Sequence, residues 1–309
     1  MLEINNLSIA FKRYNGWLGR TELRPIRCLD LEIEQGRIVS VVGESGAGKS
    51  LLAHAILGLL PANARVSGEL RFDGHALTPG RIRRLRGREI ALIPQSTGFL
   101  NPLKPVGAQV ARAARLSGKS AGQALSARDS AFAQYGLDDA VKTMFPYQIS
   151  GGMARRVLTA AATVGQARLI LADEPTSGMD GDNSRKALSS LRALADQGRC
   201  VLLITHDIEA AIAISDSVAV FRNGVTIEAA AAADFKSIDG LRHPYTRQLV
   251  SALPEKKFIG AVNGRVPITR NGGQGCAHYG ECPLETQICY QSAPHRKQIR
   301  NGWARCHHA

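Results

Sequence analysis

The feature that most constrains this chain is a glycine-rich octapeptide between a buried strand and a helix. Residues 43–50 read Gly-Glu-Ser-Gly-Ala-Gly-Lys-Ser, which fits the phosphate-binding pattern G-x-x-x-x-G-K-[S/T]. The apolar run 38–42 before it predicts a parallel strand, and residues 51–57 after it predict a helix. The glycines let backbone N–H groups face a phosphate, and the helix N-terminus adds positive potential. The chain is therefore expected to adopt an α/β fold built around a nucleotide site.

Two side chains of this phosphate loop carry the chemistry. Lys49 is expected to reach the β- and γ-phosphates, and Ser50 is expected to ligate Mg²⁺. The full predicted phosphate-binding set is Gly43, Glu44, Ser45, Gly46, Ala47, Gly48, Lys49 and Ser50.

A second apolar run, residues 169–172, ends in two acids. Asp173 is predicted to hold Mg²⁺, and Glu174 is predicted to polarise an attacking water. Taken alone, such a pair is equally typical of an acidic helix cap after a strand. The position of this strand after a phosphate loop favours the metal and base roles.

The rest of the chain divides by pattern. Residues 1–42 alternate apolar and polar side chains, which predicts an antiparallel β layer. Residues 103–165 are alanine-rich with helical spacing and predict a helical insert. Core strands are predicted at 169–172, 201–204 and 218–221. The character changes after residue 254, where a short cysteine-containing tail begins.

The net charge and the hydropathy of the chain indicate which classes of partner it could have. The formal net charge of +13 fits a nucleic-acid partner, an anionic membrane surface, or simple solubility. The one basic cluster, residues 81–88, is typical of a solvated helix face as much as of a phosphate-binding patch. The chain begins without a signal-peptide pattern and has no apolar stretch of about 18 residues. We therefore expect a cytoplasmic protein whose membrane role, if any, depends on partners.

A glycine pair upstream of the two acids gives the first resemblance. Ile149 and Met153 flank Ser150, Gly151 and Gly152, and this pentapeptide resembles the LSGGQ signature of the ATP-binding cassette (ABC) family. Further landmarks of that family then follow in order. They are the Q-loop glutamine Gln95, the D-loop with Asp180, the switch histidine His206, and an adenine-stacking aromatic, for which Phe11 is preferred over Tyr14.

The resemblance implies a fold and a reaction. The fold is α/β: a cassette over residues 1–254 with a RecA-like mixed sheet, an antiparallel β layer and a helical subdomain at about 103–165. Two such cassettes pair head to tail, so that the signature of one closes on the ATP held by the other. ATP is hydrolysed by water, with Glu174, His206, Gln95 and Lys49 as catalytic residues. Mg²⁺ is held by Ser50, Gln95 and Asp173.

Two short elements resemble one branch of the family. Residues 99–102 read Phe-Leu-Asn-Pro after Gln95, and residues 243–246 read His-Pro-Tyr-Thr just past the cassette. Both resemble the ATPases of dipeptide, oligopeptide and nickel importers. A proline-initiated helix with incidental side chains is the alternative for the second element.

The tail at 255–309 contains Cys276, Cys282, Cys289 and Cys306, spaced C-x5-C-x6-C-x16-C. It resembles the cysteine-rich C-terminal region of the peptide-importer ATPases, where four thiolates hold an iron–sulfur cluster. A [4Fe–4S] cluster, tetrahedral Zn²⁺ and free thiols remain open, although the tight C-x2-C pair common in zinc sites is absent.

The resemblance also implies partners. We expect an energy-coupling subunit on the cytoplasmic face of the inner membrane, paired with a second and similar ATPase as a heterodimer. Two transmembrane permeases and an extracytoplasmic binding protein would complete an importer of peptides, nickel or metal chelates, and no nucleic acid is expected. The rival hypotheses are a cassette ATPase that acts on DNA or ribosomes, which the basic charge favours, and an exporter subunit.

Overall fold

The computed structural model describes residues 1–15, 19–44, 48–253 and 275–309. Its strands are β1 Leu2–Asn15, β2 Gly19–Ile33, β3 Ile38–Gly43, β4 Ala64–Phe72, β5 His75–Ala76, β6 Ile90–Ile93, β7 Leu169–Asp173, β8 Cys200–Thr205, β9 Ser217–Arg222, β10 Val225–Ala231, β11 Lys297–Ile299 and β12 Gly302–Ala304. Its α-helices are α1 Lys49–Ile56, α2 Pro79–Leu85, α3 Val106–Leu116, α4 Ala121–Gln134, α5 Gly151–Thr163, α6 Gly181–Asp196, α7 Ile208–Ile214, α8 Pro244–Ser251 and α9 Gln287–Gln291.

A mixed sheet forms the centre of the molecule. Strands β9, β3, β8, β7 and β6 lie side by side and are parallel to one another, while β10 runs antiparallel to β9. Every residue of β3, β7 and β8 is buried, as expected for parallel strands covered on both faces. All three core strands predicted from the apolar runs are present.

An antiparallel layer stands beside this sheet. Strand β1 pairs with both β2 and β4, and β4 pairs with β5, all antiparallel. The layer meets the central sheet at a seam, where β2 pairs with β10 through Val225 and Cys28. The predicted fold class, a cassette-type mixed sheet with an antiparallel β layer, is confirmed.

The helical subdomain is also present. Helices α3, α4 and α5 pack around a core of their own, which includes Val110, Phe132 and Val157, all fully buried. Helix α1 instead packs into the larger core beneath the β layer through Leu52 and Ile56. Within the described ranges, no helix combines the length and apolar character needed to cross a membrane.

The C-terminal segment joins the central sheet instead of standing apart from it. Strand β12 pairs antiparallel with β11 and also with β10, where Glu228 faces Ala304 and Ala229 faces Trp303. The guanidinium of Arg305 adds a 2.6 Å ion pair with Asp30 of β2. Residues 297–305 therefore lie beside the seam at which the β layer meets the central sheet.

Candidate active site

The phosphate loop leaves the sheet at the end of β3. Gly43 pairs with Phe221 of β9, and a side chain at residue 43 would collide with the Phe221 carbonyl oxygen. At the far end of the loop, Gly48 has a φ of +84°, a left-handed conformation that glycine adopts at low cost. Ser45, Gly46 and Ala47 lie outside the described residues.

Lys49 is buried beneath the loop, and its ammonium group is held by the loop's own backbone. Its Nζ donates hydrogen bonds of 2.7 Å to the carbonyl oxygens of Gly43 and Glu44. Burial lowers the pKa of Lys49, and the charges of Glu174 and Asp173 oppose that shift. The lysine therefore lies within electrostatic reach of the predicted base Glu174 and of the predicted metal ligand Asp173.

Two oxygen ligands predicted for Mg²⁺ meet beside Lys49. The hydroxyl of Ser50 donates a 3.1 Å hydrogen bond to Oδ1 of Asp173, although 123 residues separate them in the sequence. Hydroxyl and carboxylate oxygens are the hard donors that Mg²⁺ prefers. Burial raises the pKa of Asp173, the hydroxyl of Ser50 opposes the shift, and the charge of Glu174 adds to it. The pair therefore fits a magnesium site, since a cation would relieve the cost of burying this carboxylate.

Asp173→Asn should stabilise the nucleotide-free protein and weaken MgATP binding. Because burial raises the folded-state pKa of Asp173, this residue does not destabilise the protein at a pH below its unfolded-state pKa. As the pH rises from that value through the folded-state pKa, the free energy of unfolding falls, and the loss persists at neutral pH. Removing the charge should raise Tm by about 2–4 °C, the response of a large domain to ~1 kcal/mol. Calorimetry at pH 7 and pH 4 checks this, and a gain of equal size at both values would contradict the electrostatic cause.

Glu174 and His206 form the second half of the site. The carboxylate of Glu174 is 2.9 Å from Nδ1 of His206 and accepts a 3.4 Å hydrogen bond from the Thr205 hydroxyl. Glu174 is buried and has a φ of +48°, a left-handed conformation that is uncommon for a residue with a side chain. Its backbone N–H donates to the carbonyl of Ile204. The strained backbone and the two side-chain contacts fix the direction of the carboxylate.

These groups meet because they follow neighbouring parallel strands. The phosphate loop follows β3, Asp173 and Glu174 lie at the end of β7, and His206 follows β8, which lies between the other two. Ligands of open α/β sheets bind beyond the carboxyl ends of the strands. The edge thus offers a buried cation, two oxygen donors for a metal, and a carboxylate poised to accept a proton. This set suits the hydrolysis of a phosphoanhydride.

The contacts described for Gln95 and Phe11 are with residues outside this edge of the sheet. Gln95 lies just after β6 with an exposed side chain, and its backbone carbonyl accepts a 3.3 Å hydrogen bond from Arg155. Phe11 is half-buried and packs against the core beneath the β layer. Their predicted roles, in magnesium sensing and adenine stacking, therefore stay predictions.

The signature residues lie on a separate and open surface. Ser150 caps α5 by accepting a 3.2 Å hydrogen bond from the N–H of Met153. Gly151 and Gly152 are exposed, and a Cβ at either position would meet no atom within 4 Å. Asp180 caps α6 in the same way, and hydrogen bonds from the Asn183 backbone and side chain lower its pKa. A groove of about 840 Å³ separates the two caps.

The structure brings the four tail cysteines into one neighbourhood. Burial raises the pKa of Cys276 to about 11, and the charges of Cys289, Cys306 and Cys282 act in the same direction. Cys289 Sγ also lies 3.6 Å from Nε2 of His308. In the part of the chain that the structure describes, no three His, Cys, Asp or Glu side chains are grouped closely enough to hold a metal ion.

Sequence reasoning missed one residue at this edge, Arg222. It ends β9 beside the phosphate loop, and its buried guanidinium forms ion pairs with Glu44 and Glu281. The turn that follows is Asn223-Gly224, the dipeptide most typical of a two-residue hairpin, and both residues have positive φ. That dipeptide could have predicted the β9–β10 hairpin, although no local pattern predicts the partners of Arg222.

Two family models match the chain. The model described as "ABC transporter" matches residues 26–177. The model described as "Oligopeptide/dipeptide transporter, C-terminal region" matches residues 227–289, which include the His-Pro-Tyr-Thr element and three of the four tail cysteines.

The chain is also similar to individual ATP-binding proteins of peptide transporters. The chain is 31% identical to the dipeptide transport ATP-binding protein DppD of Escherichia coli K12, over 100% of this chain and 96% of that protein. It is 30% identical to the oligopeptide transport ATP-binding protein OppD of Salmonella typhimurium LT2, over 95% of this chain and 89% of that protein. Among solved structures, the dimeric ATP-binding cassette MJ0796, bound to ADP and Pi, superposes with a TM-score of 0.66. That match has 24% identity and covers 75% of this chain and 99% of the other.

Proposed function

This chain belongs to the ABC transporter family, and from that premise we propose that it is the ATP-hydrolysing, energy-coupling subunit of a membrane importer for di- or oligopeptides. The observation that carries the ATPase assignment is the convergence of Lys49, Ser50, Asp173, Glu174 and His206 at one edge of the sheet. These residues lie at or just beyond the ends of three neighbouring strands and supply the charge, metal ligands and base that ATP hydrolysis requires.

Each residue has a task that follows from its contacts. Lys49 exchanges its loop carbonyls for β- and γ-phosphate oxygens and offsets the charge that develops there. Glu174 accepts a proton from the attacking water, because its carboxylate is held in place by Thr205 and His206. His206 is half exposed, so it can reach the γ-phosphate from the same side.

Ser50 and Asp173 are the residues that would hold Mg²⁺, with Gln95 as the further ligand that the family resemblance implies. When bound, the ion supplies positive charge to the phosphate oxygens. Before binding, the hydroxyl of Ser50 and the carboxylate of Asp173 already lie 3.1 Å apart, so both donors are prepared for a common ion.

A second cassette would complete each site. The glycines of the signature are exposed and unobstructed, and they open helix α5, whose N-terminus adds positive potential. These are suitable groups for a phosphate that is bound by another chain. We propose a head-to-tail pair with a similar but distinct ATPase, in which Ser150, Gly151, Gly152 and Asp180 serve the partner's nucleotide.

The proposed cargo is peptide instead of nickel or a metal chelate. The relatives described above are named for dipeptide and oligopeptide transport, and the C-terminal family model carries the same description. An extracytoplasmic binding protein and two permeases would select and carry that peptide. The chain itself would lie on the cytoplasmic face of the inner membrane, attached through the permeases.

An apolar groove near the Q-loop is the surface we assign to the permease. Its volume is about 260 Å³, and its lining includes Leu59, Pro94, Phe99 and Leu116. Phe99 is 55% exposed and Leu116 is 45% exposed, so both offer apolar area to a partner. Arg86 stands at the groove with an exposed side chain. An amphipathic helix in a cytoplasmic loop of the permease, with an acidic residue facing Arg86, fits this chemistry.

Replacing Leu116 by Ser should weaken this docking. Loss of one apolar anchor costs roughly 1–2 kcal/mol, so recovery of the permeases with the tagged ATPase should fall about tenfold. Leu125→Ser is the matched control, because Leu125 is 43% exposed on the neighbouring helix α4 and does not line the groove. Equal recovery with both variants would exclude this groove as the docking surface.

For the tail we propose an iron–sulfur cluster held by Cys276, Cys282, Cys289 and Cys306. The support is that the charges of Cys289, Cys306 and Cys282 all act on the pKa of Cys276, which places the four thiols in one neighbourhood. Four cysteine thiolates are the usual ligand set of such a cluster. Backbone N–H groups two residues on point at two of the sulfurs, from His278 to Cys276 at 3.5 Å and from His308 to Cys306 at 3.4 Å. Such N–H···S bonds stabilise thiolate ligands.

Anaerobic purification tests the cluster directly. We expect iron and acid-labile sulfide in a one-to-one ratio, together with visible charge-transfer absorption that is lost on exposure to air. Zinc without sulfide would replace the cluster by a metal ion, and the absence of both would leave free thiols. Cys200→Ser, which changes a cysteine in the core strand β8, is the control that should keep the metal content.

Co-purification from native membranes tests the function as a whole. The tagged chain should bring down two permeases and a second cassette ATPase, and ATPase activity of the recovered complex should rise when a binding protein and its peptide are added. Recovery with ribosomes or nucleic acid and without permeases would instead support the rival cassette ATPase, which the net charge of +13 favours.

A further inference from the structure

Arg222 occupies an unusual position between the phosphate loop and the C-terminal extension. It is the last residue of β9, directly after Phe221, which pairs with Gly43 at the start of the loop. Its side chain is only 3% exposed. A guanidinium buried to this extent requires charged partners, because an unpaired buried charge is very costly.

The two partners come from opposite sides. One terminal nitrogen of the Arg222 guanidinium binds the carboxylate of Glu44 in the phosphate loop, and the other binds Glu281 of the extension at 2.5 Å. The guanidinium carbon, Cζ, lies over the ring of Tyr245, 4.3 Å from its centroid. The rigid fork of an arginine can serve two carboxylates at once, which a lysine cannot reproduce with the same geometry.

The turn after Arg222 has a second contact with the same segment. The side-chain amide of Asn223 donates a 2.8 Å hydrogen bond to the carbonyl of Ala277. Ala277 follows Cys276 in the sequence, and Glu281 precedes Cys282. The residues of the extension that contact Arg222 and Asn223 are therefore both adjacent to tail cysteines.

Within the phosphate loop, Glu44 also contacts Lys49. The carbonyl oxygen of Glu44 accepts a 2.7 Å hydrogen bond from the ammonium group of Lys49. The side chain and the backbone of Glu44 are thus held by two different cations. A displacement of Arg222 would shift Glu44 and, through it, the lysine that neutralises the phosphates.

We propose that Arg222 is a positioning residue that couples the phosphate loop to the C-terminal extension, so that ATP binding and the packing around Cys282 stabilise each other. This inference rests on the proposed function only in requiring that ATP binds at the phosphate loop. Because coupling of two binding or ordering events is reciprocal, the extension must favour ATP by the same factor by which ATP orders the extension.

Two measurements on the full chain test this coupling. The first is the Kd of MgATP, and the second is hydrogen–deuterium exchange of residues 276–285 with and without MgATP. In the unchanged protein, MgATP should slow exchange in this segment several-fold. Glu281→Gln should weaken MgATP binding about 5–10-fold and remove that protection, since the pairing of Arg222 with the extension is lost.

A matched control separates this coupling from general loosening. Arg305→Gln removes another ion pair that attaches the extension, the 2.6 Å contact with Asp30, and does not touch the phosphate loop. It should leave the Kd of MgATP within twofold and keep the protection of 276–285. Arg222→Lys, which keeps the charge but not the fork, should behave like Glu281→Gln.

The outcomes are distinct. If MgATP binds the unchanged protein without protecting residues 276–285, the coupling is wrong and the ATPase assignment stands. If Arg305→Gln weakens MgATP binding as much as Glu281→Gln does, the extension is only a general stabiliser, and the role of Arg222 is overturned. If MgATP does not bind at all, both the proposed function and the coupling are overturned.

Discussion

Glu174→Gln should reduce ATP turnover of the reassembled transporter by about 10²–10⁴-fold, the contribution of a positioned general base, while MgATP remains bound. The amide has nearly the same size and can still contact Thr205 and His206, so the fold of the site should be kept. Lys49, Ser50 and Asp173 are unchanged and continue to hold the nucleotide. Phosphate release measures the loss, and gel filtration with labelled ATP measures the retained binding.

The control for this prediction is Glu209→Gln. Glu209 is an exposed acid in the first turn of α7, close to the site along the chain but outside its contacts. This variant should turn over ATP at the normal rate. Normal turnover by Glu174→Gln as well would rule out Glu174 as the general base.

Gly151→Asp should abolish turnover of the paired ATPases, by about 100-fold or more, without changing the affinity of this chain's own phosphate loop for ATP. A Cβ at Gly151 would meet no atom within 4 Å, so the first atom of a side chain is accommodated there. An acid in the first turn of α5 is favourable for that helix. The cost appears only when a phosphate of the partner's nucleotide approaches, because the two negative charges then repel each other.

Gly122→Asp provides the comparison. Gly122 also lies in the first turn of a helix, α4, and a Cβ there would likewise meet no atom within 4 Å. Turnover by this variant should match that of the unchanged complex. If Gly151→Asp also retained full turnover, the exposed signature would not close on a second nucleotide, and the head-to-tail pairing would be incorrect.

Much of the site could be predicted because its residues belong to short patterns that are visible in the local sequence. The octapeptide, the apolar strand before Asp173 and the strand before His206 each combine a short pattern with a fully buried strand. Neighbouring parallel strands of one sheet have their carboxyl ends at the same edge, so the residues that follow them lie close together. The contact between Ser50 and Asp173 follows from this arrangement.

The contacts of Arg222 could not be predicted in the same way. Its two carboxylate partners lie 178 and 59 residues away along the chain, and neither belongs to a pattern that marks an ion pair. The same is true of Glu228, a fully buried acid whose carboxylate accepts hydrogen bonds from the backbone N–H groups of Arg242 and His243 and so secures the start of α8. Such buried charges are placed by tertiary packing, which propensity and periodicity do not encode.

The pairing of β12 with β10 has a consequence for how this protein is made. Strand β12 is synthesised about 70 residues after β10, which corresponds to several seconds at ordinary translation rates. During that interval, part of β10 presents unsatisfied backbone groups along the seam. An open strand edge invites pairing with a foreign chain. The nascent polypeptide therefore passes through a period in which this edge can pair with another chain, and a chaperone that covers the edge until β12 is made would reduce aggregation.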